Sequence, residues 1–154
     1  ILLRYAEVLL NYAEAKIEAN DIDQSVYDAI NLIRERVDMP TISTGKSQAE
    51  LRSIVRIERK SEFAFEGTRL YDIRRWGIAE QVLEGELLGR IPRGLLASAP
   101  EIDENGTPSY ENVSNKAEMR VIEIRLFDAN KNNLWPIPQI EIDVNENLVQ
   151  NPGY

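Results

Sequence analysis

Two helical patterns joined by a short polar turn occupy the start of the chain, over residues 1–40. Over residues 1–20, apolar side chains recur at about 100° per residue and collect on one face. That apolar stripe consists of Leu2, Leu3, Ala6, Leu9, Leu10, Ala13 and Ile17. A second pattern runs from about Ser25 to Val37, and Pro40 ends it, because proline disfavours helical geometry in the preceding residue. We therefore predict an antiparallel helical hairpin for residues 1–40.

A hairpin of this kind is typical of tetratricopeptide repeats. One helix pair cannot bury its own faces and needs stacked neighbours. The sequence contains no second copy of the hairpin, and the chain begins inside the first helical pattern without a starting Met. We therefore expect the chain to be a piece of a longer protein.

Residues 47–83 predict a second group of helices. Ser47 with Glu50 forms a capping box that starts the longest of them. This helix is predicted to end at Glu66, before Gly67, and a shorter helix is predicted from Arg69 to Trp76. The apolar arc of the long helix contains Leu51, Ile54, Val55 and Phe65.

Glu58 and Glu62 lie one helical turn apart within this apolar arc. Carboxylates on a buried face are costly unless they are paired. They could be a catalytic pair, as glycosidases use, or part of a buried ion-pair network that fixes helix packing. We favour the network, because catalytic carboxylates usually face each other across a cleft. The cations predicted for it are Arg34, Arg36, Arg69, Arg74 and Arg75.

Residues 84–118 are rich in Gly and Pro and are predicted to be a long, irregular and variable surface loop. Tyr110 is its only aromatic residue and is a candidate ligand contact. We favour a variable insertion without a role here over that contact.

Residues 119–154 predict short strands followed by an extended C-terminal segment. Residues 120–127 alternate partly as a strand does, and residues 128–133 have turn chemistry. Two prolines keep residues 134–138 extended, so that the two segments indicate a short β-hairpin or a strand-like excursion. We interpret Trp76 and Trp135 as packing anchors. For Trp135, a sugar-stacking platform is the alternative.

Charge and composition exclude several classes of function. The net charge of −8 disfavours nucleic acid and anionic lipid as partners. With no His and no Cys, the commonest metal ligands are missing. We find no phosphate-binding loop and no serine nucleophile motif. No metal or cofactor is expected, and no apolar run is long enough to span a membrane.

Several stretches, taken in order, resemble the C-terminal region of the SusD/RagB family. These stretches are residues 3–15, 58–67, 69–77 and 134–139, with Glu141 and the terminal residues 150–154. The resemblance covers nearly the whole chain except residues 84–118. Residues 34–40 depart from the family's pattern, which usually has Ala-Gly after the second arginine.

The resemblance implies a mainly α, tetratricopeptide-like fold and a binding protein that is not an enzyme. Family members are lipid-anchored at the bacterial outer membrane, bind oligosaccharides at the cell surface and deliver them to a SusC-like TonB-dependent transporter. The lipid anchor and the main glycan site are expected upstream of this chain. A helical protein–protein interaction module without sugar binding is the alternative, and a glycosidase using Glu58 and Glu62 is a third hypothesis.

Overall fold

The computed structural model describes residues 3–154 and divides into two compact units. The first, called the helical unit, comprises Ile1–Arg69 with Pro100–Ser109. The second, called the C-terminal unit, comprises Leu70–Ala99 with Tyr110–Tyr154. The predicted mainly α fold with a small antiparallel β element is confirmed. Leu2, assigned to the apolar stripe, lies outside the described residues.

Three helices form most of the helical unit: α1 (Tyr5–Glu18), α2 (Gln24–Glu35) and α3 (Gln48–Glu62). The carboxylate of Asp23 caps α2 by accepting from the backbone N–H of Ser25. The predicted capping box of Ser47 and Glu50 is present at the start of α3. Both α2 and α3 pack against α1, so that α1 lies at the centre of this unit.

The core of the helical unit is formed by the predicted apolar faces. Leu10, Ala13 and Ile17 of α1 are fully buried, as are Val26 and Ile30 of α2. On α3, Leu51 and Val55 complete the cluster. The end of α3 was predicted wrongly: the helix stops at Glu62, Phe63 enters the core, and Phe65 is fully exposed in a left-handed conformation.

Residues 84–118 are less irregular than predicted. They contain β1 (Gly85–Leu88), β2 (Glu101–Ile102), β3 (Pro108–Ser109) and a 3₁₀ turn at Lys116–Glu118. Strands β2 and β3 form a small hairpin within the helical unit. Its tip lies on α3, where Arg56 donates to the Asn105 side chain and Lys60 donates to the Gly106 carbonyl oxygen.

Helix α4 (Arg69–Arg75) belongs to the C-terminal unit from Leu70 onward. It is followed by α5 (Ala79–Leu83), β4 (Val121–Arg125) and α6 (Gln139–Val144). The strand partner in the predicted hairpin was wrong: β4 pairs antiparallel with β1 rather than with residues 134–138. Pro136 and Pro138 lack the N–H groups that a ladder needs. The C-terminal segment also contains α6, where an extended chain was predicted.

A small apolar cluster holds the first part of the C-terminal unit together. Ile73, Ile78 and Ala79 are buried, and Trp76 and Phe127 pack against them. Within residues 3–154, no helix is long and apolar enough to cross a membrane.

Candidate functional site

Glu58 and Glu62 lie in separate ion pairs within the helical unit. Glu58 pairs with Arg34 of α2, and its side chain is 15% exposed. Glu62 is 8% exposed and is bound from two sides: Arg4 Nη1 lies 2.6 Å from Oε1, and Arg36 Nη2 lies 2.7 Å from Oε2. The network therefore links α3 to α2 and to the residue that precedes α1.

Arg4 is a member of this network that the sequence analysis missed. Its Nη2 donates to the Glu62 carbonyl oxygen at 2.8 Å and to Glu66 Oε1 at 2.7 Å, and its Nε donates to Glu66 Oε2 at 3.1 Å. The hydrogen bonds that Arg4 donates to Glu66, and then those that it donates to Glu62, raise the pKa of Arg4 above its ordinary value. Arg4 lies 58 residues from Glu62, so that sequence proximity gave no signal for the contact.

For the other three predicted arginines, the structure gives contacts with groups other than Glu58 and Glu62. Arg69 donates to the carbonyl oxygen of Asn105 at 3.0 Å. Arg74 donates to the carbonyl oxygen of Asn133, and Arg75 pairs with Asp72 at 2.8 Å. Arg74 and Arg75 belong to the C-terminal unit, whereas Arg69 belongs to the helical unit together with Glu58 and Glu62.

A more deeply buried pair was also missed. Glu14 of α1 is 6% exposed and Arg59 of α3 is 4% exposed, and Arg59 Nε lies 3.5 Å from Glu14 Oε2. Arg59 Nη1 also donates to Asn11 Oδ1 at 2.6 Å, and the guanidinium lies 5.3 Å from the Phe63 ring centroid. The sequence did contain a signal, because Glu14 follows Leu10 by four residues and precedes Ile17 by three on the buried stripe.

The ion pairs of Glu58 and Glu62 suit a role in helix packing better than a role in catalysis. In glycoside hydrolysis, one carboxyl group must present a proton to the leaving oxygen and the other must reach the sugar or a water molecule. Both oxygens of Glu62 are already bound by guanidinium groups, and Glu58 is bound by Arg34. Among residues 3–154, no group of three or more His, Cys, Asp or Glu is arranged to hold a metal ion.

Tyr110 lines a cavity of about 540 Å³ in the C-terminal unit. Most of the wall is aliphatic, and Tyr110 is its aromatic member. The lining includes Leu88, Ile91, Leu95, Leu96 and Met119, with Arg90 and Ser98 as polar neighbours. The volume lies within the range of roughly 300–1,000 Å³ that is usual for small-ligand sites.

The two tryptophans differ in their surroundings. Trp76 is half-buried against the cluster of Ile73, Ile78 and Ala79, as a packing residue would be. Trp135, also predicted to be a packing anchor, is 64% exposed. The guanidinium of Arg74 lies 4.8 Å from its indole ring centroid.

Comparisons with known proteins match the chain from end to end. A family model described as the SusD family matches residues 1–154. SusD-like protein P2 of Formosa agariphila is 34% identical over an alignment of 162 residues, which covers 100% of this chain and 26% of that protein.

Two solved structures are also similar to the chain. A SusD-like protein of Bacteroides fragilis gives a TM-score of 0.73 at 34% identity, over 100% of this chain and 26% of that one. A SusD homolog of Bacteroides thetaiotaomicron gives a TM-score of 0.63 at 30% identity, over 99% and 26%. The chain spans about a quarter of the length of these relatives.

Proposed function

The chain belongs to the SusD family, and on that premise we propose that the protein containing it binds glycans at the cell surface without modifying them. The family is known for glycan binding, and the observation that carries the proposal is the match over residues 1–154. The identities of 34% and 30% to SusD-like proteins of known structure support it.

The absence of catalysis is the second part of the proposal. It is supported by the ion pairs, because arginines bind Glu58 and Glu62, the two acids that were considered as a catalytic pair. Arg34, Arg4 and Arg36 provide these contacts. Guanidinium groups hold both oxygens of Glu62 in charge-assisted hydrogen bonds.

Within the whole protein, this chain would contribute scaffold and one auxiliary contact. The helical unit supplies a packed, ion-paired framework, and the cavity at Tyr110 is the candidate sugar contact. The main glycan site would lie in the part of the protein outside this chain, since the chain spans about a quarter of its relatives.

We further propose a SusC-like TonB-dependent transporter as the partner and the outer membrane as the location, with a lipid anchor upstream of this chain. Copurification of the complete tagged protein with a SusC-like transporter from the same organism tests the partnership. Surface labelling of intact cells tests the location. A complete protein that is purified alone and is inaccessible to surface labelling would contradict both.

Glycan binding is tested with the complete protein on a glycan array, followed by calorimetry and a reducing-end assay on every glycan that binds. We expect binding to at least one oligosaccharide and no new reducing ends. Glu80→Gln, at an exposed position of α5, is the matched control for Glu58→Gln and Glu62→Gln. Turnover that disappears in either of the latter variants, but not in the control, would establish a glycosidase instead.

A protein–protein interaction module is the second candidate, and one observation favours it. At the start of the chain, Leu3, Tyr5, Val8 and Tyr12 are exposed large side chains along α1 and its approach. Exposed apolar patches of this kind mark interaction surfaces. If the complete protein binds no glycan but captures a partner, and Tyr5→Ser with Val8→Ser abolishes that capture, this second function is supported instead.

A further inference from the structure

The segment around Trp135 is fixed in place although its ring is exposed. Tyr154 donates from its hydroxyl to the Leu134 carbonyl oxygen at 3.2 Å, and Asn151 Nδ2 donates to the Trp135 carbonyl oxygen at 2.7 Å. Gln150 binds both the N–H and the C=O of Ile137, at 2.8 and 2.9 Å. The backbone on both sides of the ring is therefore held by side chains of the last five residues, and Pro136 fixes one further φ angle.

Two cations accompany the two exposed aromatic rings of this segment. The Arg74 guanidinium lies 4.8 Å from the Trp135 centroid, and its Nη1 donates to the Asn133 carbonyl oxygen at 3.0 Å. Lys131 Nζ lies 4.5 Å from the centroid of the Tyr154 ring. Both cations are hydrogen-bond donors only, and such donors suit the hydroxyl and carboxylate oxygens of a sugar.

An exposed and rigidly held Trp has a specific chemical use. Covering a large, water-exposed aromatic surface with another apolar surface lowers the free energy. Holding the ring in one position beforehand lowers the entropic cost of binding. A pyranose ring offers a C–H face that stacks on indole and hydroxyl groups around its edge that accept from nearby cations.

We propose that Trp135, with Arg74 against its ring and with Lys131 and Tyr154 in the same segment, forms a stacking platform for a pyranose unit of the bound glycan. We call this set the Trp135 platform, and it is separate from the cavity at Tyr110, with which it shares no residue. The inference rests on the proposed glycan-binding function and deepens it by assigning a second contact within this chain. The partner is identified by chemistry alone: a sugar ring with oxygen acceptors at its rim.

Tyr71 provides a matched control in the same unit. It is a 70% exposed aromatic residue on α4, and it makes none of the hydrogen bonds or cation contacts that hold the Trp135 platform. Its loss removes exposed aromatic surface without removing a preformed platform. Trp76 serves as an internal reference of the same residue type, because it is half-buried in the same unit.

The test uses the complete protein and any oligosaccharide that a glycan array identifies, from a probe set of maltoheptaose, cellohexaose, laminarihexaose, xylohexaose and alginate hexamer. Hydroxyl-radical footprinting reads the oxidation of Trp135 and Trp76 with and without that oligosaccharide. We expect Trp135 to be oxidised in the free protein and protected in the complex. In calorimetry, Trp135→Ala should weaken binding by about tenfold, as the loss of an aromatic stacking contact does. Tyr71→Ala should leave the affinity unchanged.

The outcomes separate this inference from the function on which it rests. If no glycan binds, the proposed function fails and the platform fails with it. If a glycan binds but Trp135 stays equally oxidised, and Trp135→Ala binds as well as the parent, the platform alone is wrong. If Trp135 is already shielded in the free complete protein, or Trp135→Ala fails to fold, the ring packs against the rest of that protein and the platform is overturned. Trp135→Tyr, which keeps an aromatic face, should recover most of the affinity.

Discussion

In the helical unit, charged side chains join helices that already share an apolar core, whereas in the C-terminal unit side-chain amides hold irregular backbone in place. The first unit buries residues from α1, α2 and α3 in one cluster. The second has a much smaller cluster, formed around Ile73. It depends instead on contacts such as those of Gln150 with Ile137 and of Asn115 with Leu95. A helical pattern in a sequence therefore predicts an apolar core, but it does not predict which side-chain amides hold irregular backbone in place.

The largest expected effect lies at the deepest charge of the helical unit. Glu14→Ala removes the carboxylate that faces the buried guanidinium of Arg59. We expect a loss of about 3–5 kcal/mol in the free energy of unfolding, the usual cost of breaking a buried ion pair. Urea denaturation of the chain measures it. The double variant Glu14→Ala/Arg59→Met should recover part of the loss, and an unchanged unfolding midpoint in the single variant would show that the pair is not structural.

Glu62→Ala should cost less than Glu14→Ala although Glu62 is also buried. Its partners reach solvent, since Arg36 is more than half exposed and Arg4 keeps its bonds to Glu66. We expect about 1–3 kcal/mol, the penalty for lost hydrogen bonds to a charged group. Glu80→Ala, at an exposed position of α5, is the control and should cost nothing measurable. If Glu62→Ala lowered the free energy of unfolding as much as Glu14→Ala does, solvent exposure of the arginine partners would not determine the cost.

The C-terminal unit should respond locally rather than globally. Gln150→Ala removes both hydrogen bonds to Ile137 and the one that the side chain accepts from the Asn151 N–H, and should cost about 1–3 kcal/mol for three neutral bonds. Hydrogen exchange should accelerate at the Ile137 amide, while the amides of α1 stay protected. Gln139→Ala, which removes an exposed contact to Asp143, is the control. Faster hydrogen exchange throughout α1 would show that the loss of Gln150 also destabilises the helical unit, contrary to a local response.

The smallest effect concerns pH and the turn between α1 and α2. The salt bridge from Lys16, at 2.5 Å, and then hydrogen bonds from Ser25 lower the pKa of Asp23 to about 2 from 3.8. Because the folded pKa lies below the unfolded one, the unfolded chain binds this proton more tightly. The contribution to stability is present above about pH 4 and is lost as the pH falls towards 2.

Asp23→Asn isolates this contribution, because asparagine preserves the helix cap while removing the charge. The difference in unfolding midpoint between the parent chain and Asp23→Asn should shrink as the pH falls from 5 to 2. A difference that stays constant over that range would show that the charge of Asp23 does not stabilise the fold.

The sequence allowed most of the helical unit to be predicted and little of the C-terminal unit. The buried stripe of α1 and the capping box of Ser47 follow from periodicity and local hydrogen bonding, which are visible in a single chain. The contact of Arg4 with Glu62 and the pairing of β1 with β4 join distant segments. No local pattern specifies such partners. Proximity along the chain instead suggested Arg74 as a partner of the two glutamates and residues 134–138 as the strand partner of β4, whereas β4 pairs with β1.

The site residues show the same division. Arg34 lies beside Glu58 and Arg36 beside Glu62, where α2 and α3 share a core. The exposure of Trp135 could not be read from its apolar neighbours, because Leu134 is exposed as well. Burial in an irregular segment depends on tertiary contacts that proline and aromatic content do not encode.

The central claim is that the paired glutamates hold helices together in a protein that binds glycans and does not cleave them. The most direct measurement compares the complete protein with its Glu58→Gln/Glu62→Gln variant, by calorimetry, unfolding and product analysis with one glycan that binds. We expect unchanged affinity, a lower free energy of unfolding and no new reducing ends from either protein. Unchanged stability, together with turnover by the parent that the variant lacks, would contradict it.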